Sequence, residues 1–418
     1  MIIKTKLRRF GKDNFHALTH KNFRYYWSGQ CISLIGTWMQ NIGQSWLVFT
    51  LTGSPFLLGL VGTIQFLPIT CFSLFAGVLV DKFPKKKILI ITQSISMILA
   101  FTLSILVFTH TVKYSYVLVL ALILGFTNTL DMPTRQSFVV EVVGKEDLMN
   151  AIALNSAIFN LARILGPSIG ALIMSLLGAG WCFLLNGISF TAVIYGLIKI
   201  KPIPYVRKQA SESKILKEVK DGLVYIFYNP ELLRTVLIVT VMGIFAFNYS
   251  VLLPVFTKNV LLKNEGTYGF LMAALGAGSL IGAITVSLRS KSGPKFSILL
   301  FSSIIVSIML MATGISKYQY VAAISLAVTG VFNIYFSTTA NSTLQIKSKD
   351  EYRGRVMSVY ALVFSGTTPI GNLYAGTVAG KFGASSAFVT SGILSIALII
   401  ILMIIFNRVK DKGSSLIS

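Results

Sequence analysis

The chain has 418 residues, 54% of them hydrophobic and only 12% charged, and its mean hydropathy is +0.75. Soluble domains are usually about a quarter charged, so a water-soluble enzyme or binding module is excluded. The net charge of +23 would suit a nucleic-acid partner, but the placement of that charge along the chain argues against one.

Apolar runs of about 20 residues recur, each long enough to cross about 30 Å of hydrocarbon. They cover 25–50, 55–80, 87–109, 115–138, 147–177, 180–200, 232–257, 267–288, 296–315, 319–344, 356–379 and 384–406. The expected fold is all-α and integral to a membrane, with about 12 transmembrane helices. With a cytoplasmic N-terminus, all but six of the 37 Lys and Arg residues lie on the cytoplasmic side or at adjoining helix ends. The six are Lys113, Lys258, Lys263, Lys317 and Lys381 on the far side, and Arg163 inside a helix. This positive-inside bias puts both termini in the cytoplasm and makes the basic charge a topology device. No nucleic acid is expected as a partner.

A basic segment, 1–24, comes first. No short apolar core with a small-residue cleavage site precedes Tyr25, so a cleavable signal peptide is not expected. The first span bears Gln30, Ser33, Thr37, Asn41 and Gln44 at spacings of three and four, which is one helix face. Polar groups facing lipid would go unsatisfied, so this stripe faces either a wet cavity or hydrogen-bonding neighbour helices. The turn after the second span reads Gly77-Val-Leu-Val-Asp81-Lys82-Phe-Pro84-Lys85-Lys86-Lys87: a small residue, an acid and a basic run.

Asn128, Asp131 and Arg135 share a face of the fourth span, and Ser156, Asn160, Arg163 and Pro167 share one of the fifth. Charge in hydrocarbon costs on the order of 3 kcal/mol, so Asp131 is expected to pair with Arg135 or Arg163. Such a pair is either a proton-responsive switch that exchanges partners or a permanent clasp between helices. Gly166, Pro167 and Gly170 predict a bend or sliding seam, or an ordinary proline kink. Glu141, Glu146 and Asp147 read as acids at a helix start, where the dipole favours them.

The longest polar connection, 201–231, divides the spans into 25–200 and 232–406, and 407–418 forms a tail. Within it Ile215, Val219, Leu223 and Ile226 recur at helical spacing, as in an interfacial amphipathic helix or a solvated linker. Asn248 and Tyr249 mark the seventh span; Thr329, Asn333, Ser337, Asn341 and Gln345 mark the tenth. The halves are weakly alike. Arg289-Ser-Lys-Ser-Gly-Pro-Lys295 echoes the turn after the second span, and Thr368-Pro369-Ile-Gly371 echoes Gly166-Pro167-Ser-Ile-Gly170. Cys31, Cys71 and Cys182 sit in different spans without C-x-x-C spacing, so neither a metal cluster nor a cofactor is expected. None of His16, His20 and His110 lies inside a span, so no histidine proton relay is expected.

The turn at Gly77–Lys87 resembles the loop motif of the major facilitator superfamily, G-x-x-x-D-R-x-G-R-R. Lys82 stands in place of its first arginine, which loses bidentate pairing, and Pro84 replaces its second glycine. Two pseudo-symmetric six-helix bundles are that superfamily's repeat plan. Ser33-Leu-Ile-Gly-Thr-Trp-Met-Gln-Asn41, Asp131-Met-Pro-Thr-Arg-Gln136, Asn150-Ala-Ile-Ala-Leu-Asn155, Asn160-Leu-Ala-Arg-Ile-Leu-Gly-Pro167 and Arg353-Gly-Arg-Val-Met-Ser358 resemble one branch. It contains enterobactin exporters and transmembrane secretion effectors, with macrolide efflux pumps as relatives. Gly166-Pro167-x-x-Gly170 also resembles the fifth-helix motif of facilitator antiporters, with Ala162 and Ala171 at two of its glycine positions.

The resemblance implies ion-driven efflux, usually proton-driven, with the first, fourth, seventh and tenth helices lining a central cavity. Gln30, Thr37, Asn41, Gln44, Asn160, Arg163, Asn248, Asn333 and Asn341 are then its candidate lining. Asp131, Arg135 and Arg163 form the candidate coupling switch, and Gly77, Asp81, Lys82, Lys85, Lys86, Arg353 and Arg355 the candidate gate at the cytoplasmic face. The expected activity is proton-coupled export of a small amphiphilic molecule, a siderophore or a drug, by a monomer. An importer or a lipid-handling facilitator of the same fold is the alternative, with a membrane-embedded enzyme behind it. No G-x-x-x-x-G-K-[ST] motif occurs, which argues against an ATP-driven pump.

Overall fold

A computed structural model describes residues 16–144, 146–201, 212–289 and 293–414. Parts of the expected terminal segments and linker, and the side chains of Gly77, Asp81, Ile215 and Val219, lie outside the described residues. After a short 3-10 turn at His16–Thr19, the helices of the first half are α1 (Lys21–Thr52), α2 (Pro55–Asp81), α3 (Lys85–Phe108), α4 (Tyr114–Val143), α5 (Leu148–Leu177) and α6 (Ala179–Lys199). Then come α7 (Glu212–Phe227), α8 (Pro230–Phe245), α9 (Tyr249–Asn259), α10 (Glu265–Arg289), α11 (Phe296–Ile315), α12 (Gln319–Lys347) and α13 (Asp350–Ser414).

Ten stretches among the described residues are long and apolar enough to cross a membrane. Helix α1 is not one of the ten, because Gln30, Gln40, Asn41 and Gln44 dilute its hydropathy, yet its 32 residues exceed a bilayer's needs. Gly383, at φ 84°, adopts a left-handed conformation that only glycine holds without strain and divides α13 into two crossings. The crossings thereby reach twelve, and each expected span is present.

The seventh span differs from expectation in being broken, with α8 ending at Phe245 and α9 starting at Tyr249. Asn248 Nδ2 donates to the Ile244 carbonyl at 2.7 Å, so a side chain takes an acceptor of the helix ladder at the break. The amphipathic stretch of the linker is helical, as α7, but its apolar residues part company. Ile226 is buried with Leu232, Val236, Leu344, Val356 and Val359, whereas Leu223 is 49% exposed.

The described residues fall into two compact units: those of 16–44 with 71–212, and those of 45–70 with 213–414. In the first, α3 packs on α4 and α6; in the second, α11 packs on α12 and α13. The first unit is joined by small residues. Gly29, Gly36 and Gly43, seven apart on α1, face Ala192, Asn186 with Ser189, and Cys182 on α6, and a Cβ at Gly29 would lie 2.9 Å from the Ala192 carbonyl. Close backbone approach of this kind is how helices associate where lipid removes the hydrophobic drive. In the second unit Gly278, Gly282 and Gly330 do the same between α10 and α12.

Candidate functional site

In the first unit, the fourth-span acid is built into a network. Asp131 is 6% exposed on the membrane-spanning helix α4. Its Oδ1 accepts from Thr92 Oγ1 at 2.6 Å and from Gln93 Nε2 at 2.9 Å, both on α3. Its Oδ2 accepts from Arg135 Nε, one turn on along α4. Arg135 in turn lies beside the Tyr26 hydroxyl on α1. Tyr26 packs edge-on against Phe138 with ring centroids 5.8 Å apart. Helices α3 and α4 thus meet on one carboxylate, with α1 adjoining through Arg135, and the charge pair cancels much of the cost of placing either partner in hydrocarbon.

The expected pairing of Asp131 with an arginine is present, with Arg135 as the partner. Thr92 and Gln93 are functional candidates that sequence reasoning missed. Three consecutive polar residues, Thr92 to Ser94, inside the otherwise largely apolar run Ile88–Leu99 were the available signal. Five buried polar atoms on the helices of this unit have no protein partner: Trp27 Nε1, Gln30 Nε2, Gln93 Oε1, Arg135 Nη1 and Asn155 Oδ1. Each such atom costs about 1–3 kcal/mol if left unsolvated, which is large against the ~5–15 kcal/mol stability of a whole protein.

The stripe on α1 divides by environment. Gln30 and Ser33 are buried, Thr37 is half-buried and donates to the Ser33 carbonyl at 2.9 Å, and Asn41 is exposed. Gln40, at the edge of the same face, makes the contact between α1 and α6, accepting from Asn186 Nδ2 at 2.6 Å. On α5, Asn160 donates to the Ser156 carbonyl at 2.8 Å, and Arg163 is half-buried. Gly166 and Gly170 lie against Trp38, Ile35 and Met39 of α1, so this motif is a close-packed seam between two helices.

In the second unit, Asn333 on α12 donates to the Tyr249 hydroxyl at 3.0 Å, and Gln345 donates to Asn341 at 2.6 Å. Phe247, in the break between α8 and α9, sits 5.9 Å from Phe336 and 6.0 Å from Phe364, centroid to centroid. Gly371 faces Asn248 and the Ile244 carbonyl, and so repeats on α13 the packing of Gly166 on α5.

The basic turns are ordered by ion pairs. Lys85, 7% exposed, pairs with Glu141 at 3.0 Å, and Lys86 Nζ donates to the Ile200 carbonyl at 2.7 Å beyond the end of α6. Glu141 therefore stands in the last turn of α4 and not at a helix start, because α4 runs five residues past the apolar span to Val143. Lys82 is exposed. Arg353 pairs with Asp350 at 2.6 Å and donates to the Gln345 carbonyl at 3.0 Å. Arg355 pairs with Asp221 of α7 at 3.3 Å, beside stacked Tyr225 and Tyr352 rings 4.3 Å apart. Asp147 precedes α5 and accepts from His16 at 2.7 Å and His20 at 2.5 Å. Hydrogen bonds from His20, then His16, hold its carboxyl below the usual carboxylate range. Among the described residues no group of three or more His, Cys, Asp or Glu side chains is arranged to hold a metal ion.

The chain is 27% identical over 395 residues to the staphyloferrin A transporter of Staphylococcus aureus, covering 93% of this chain and 97% of that protein. It is 22% identical to macrolide efflux protein A of Streptococcus pyogenes over 383 residues, 91% and 94% of the two chains. Its backbone superposes on the crystal structure of the nucleoside transporter NupG with a TM-score of 0.71 at 14% identity, covering 92% and 98% of the chains. The family profile of transmembrane secretion effectors matches residues 12–416. With twelve crossings, the facilitator-like fold and a profile match along almost its whole length, the chain belongs to the transmembrane secretion effector family of major facilitator transporters.

Proposed function

We propose that the protein exports a small amphiphilic molecule, a siderophore or a drug, across the bacterial cell membrane in exchange for protons. The observation that carries the coupling is the Asp131–Arg135 pair, an ionisable group buried in a membrane helix with a defined charged partner. Such groups are rare in membranes and mark ion pathways. Protonation of Asp131 would release Arg135 and so convert proton binding into a change of helix packing. The direction and the substrate class rest on relatives named for the transport of staphyloferrin A and the efflux of macrolides.

The positive-inside bias supports cytoplasmic termini, with the gate residues Lys82, Lys85, Lys86, Arg353 and Arg355 on that face. Asn160, Arg163, Asn248, Asn333 and Asn341, with Thr37, Asn41 and Gln44, are the proposed substrate contacts of a transporter working as a monomer. Everted membrane vesicles containing the protein test the reading. An inwardly acid gradient is expected to drive uptake of a siderophore or macrolide, and collapse of the gradient to abolish it. Uptake into right-side-out vesicles alone would indicate an importer.

A further inference from the structure

The five unpartnered polar atoms of the first unit come from four helices, yet share one level. Trp27 and Gln30 are six and nine residues into α1, Gln93 eight into α3, Asn155 seven into α5, and Arg135 eight from the end of α4. At the rise of a helix this is a layer about 9–14 Å from the end that carries the α2–α3 turn. Known contacts knit the layer together. Arg135 lies beside Tyr26, and Gln30 lies one turn beyond Tyr26 on the same face of α1. Asp131 lies one turn beyond Arg135 on α4, so Gln30 stands level with the carboxylate. Leu154, next to Asn155, shares a buried cluster with Tyr26 and Phe138.

The chemistry of these atoms selects their ligand. Arg135 Nη1 and Trp27 Nε1 can only donate. Gln93 Oε1 must accept, because its amide nitrogen is committed to Asp131. An anion would confront the Gln93 oxygen, and a cation would confront the Arg135 and Trp27 protons. Water satisfies both kinds of atom, and buried waters each take two to four polar partners (about three on average).

We propose that Trp27, Gln30, Gln93, Arg135 and Asn155 enclose a chamber of bound water beside the Asp131–Arg135 pair, and that this chamber is the aqueous route to Asp131. The route rests on the proton-coupling reading; the chamber does not. The other charged groups of the surrounding helices are Lys21 and Arg24 in the first turn of α1, Lys86 and Lys87 beside the Lys85–Glu141 pair at the ends of α3 and α4, and Arg163 two turns beyond Asn155 on α5. The chamber accounts for Gln30 as part of the coupling network, in place of a substrate contact.

Pulsed hydroxyl-radical labelling of the purified full-length protein tests it, since radicals form from water wherever water resides. Tyr26, 4% exposed, is expected to label several-fold faster than Tyr249, which is 9% exposed and packed in the second unit. In a Gln30→Leu, Gln93→Leu protein the Tyr26 rate is expected to fall to that of Tyr249. Labelling of Tyr26 no faster than Tyr249 in the unsubstituted protein overturns the chamber, whether or not the double variant folds. If Asp131→Asn left the pH dependence of transport untouched, the coupling reading would fall while the labelling contrast remained.

Discussion

In the first unit α5 lays Gly166 and Gly170, on either side of Pro167, on α1, and in the second α13 lays Gly371, just after Pro369, on α8, so glycines beside a helix proline perform the same kind of packing twice. The chemistry placed on that shared plan differs. Among the described residues, the buried charged side chains, Lys85 and Asp131, both belong to the first unit. The second unit offers aromatic rings and amides at its broken span: Phe247, Phe336, Phe364, Asn333 and Tyr249. Repetition conserved the helix seams, which depend on backbone approach, while side chains away from them were free to specialise. On the proposed reading, the first unit carries the ion and the second supplies apolar and amide surface for the solute.

The largest expected effect breaks the contrast at its centre. Arg135→Leu leaves Asp131 buried without its cation, which costs about 3–5 kcal/mol; the variant is expected to show a sharply lowered melting temperature or little folded yield. A melting temperature equal to that of the parent would show that the pair is not energetically buried. Gln40→Ala removes an interhelical bond and strands Asn186, for an expected loss of about 1 kcal/mol, readable as a smaller shift in the same assay. Arg355→Ala, in the second unit, deletes a pair with both partners about a third exposed. It is expected to cost no more than about 1 kcal/mol, and a loss matching Arg135→Leu would erase the difference between the units.

The smallest effect concerns Asp147. A carboxyl held below its usual range contributes stability above the unfolded carboxylate range and loses it only as pH falls through the lowered value. The contact of the His16–Thr19 turn with α5 is therefore expected to survive acidification from about pH 8 to about pH 5. Hydrogen-exchange protection of the Ala17 amide, which donates to Asn150, reports it; loss of protection by pH 5 would contradict the assignment.

Much of this organisation was legible in the sequence because lipid makes stringent demands. Apolar length alone located the crossings, and a lone acid in the fourth span announced a partner. Three features escaped for physical reasons. The break at Asn248 lies inside a span long enough to read as one crossing, and only its side-chain bond to Ile244 reveals the cost to the ladder. Glu141 was misplaced because helices outrun the hydrocarbon, and hydropathy sees only the hydrocarbon. Gln40 borders the α1 stripe and Asn186 lies on a facing helix, so their pairing appears only when the two helices meet. Thr92 and Gln93 acquire meaning in the same way, from Asp131 across the helix interface.

The central claim is that Asp131 binds the coupling proton, and Asp131→Asn tests it most directly. The amide keeps the shape and the bonds to α3 while removing the titration. Transport by the parent in vesicles is expected to rise with the imposed proton gradient, and transport by the variant to continue only down the substrate's own gradient, indifferent to pH. Gradient-driven accumulation by the variant with the parent's pH profile would contradict the account and leave Asp131 and Arg135 as a structural clasp.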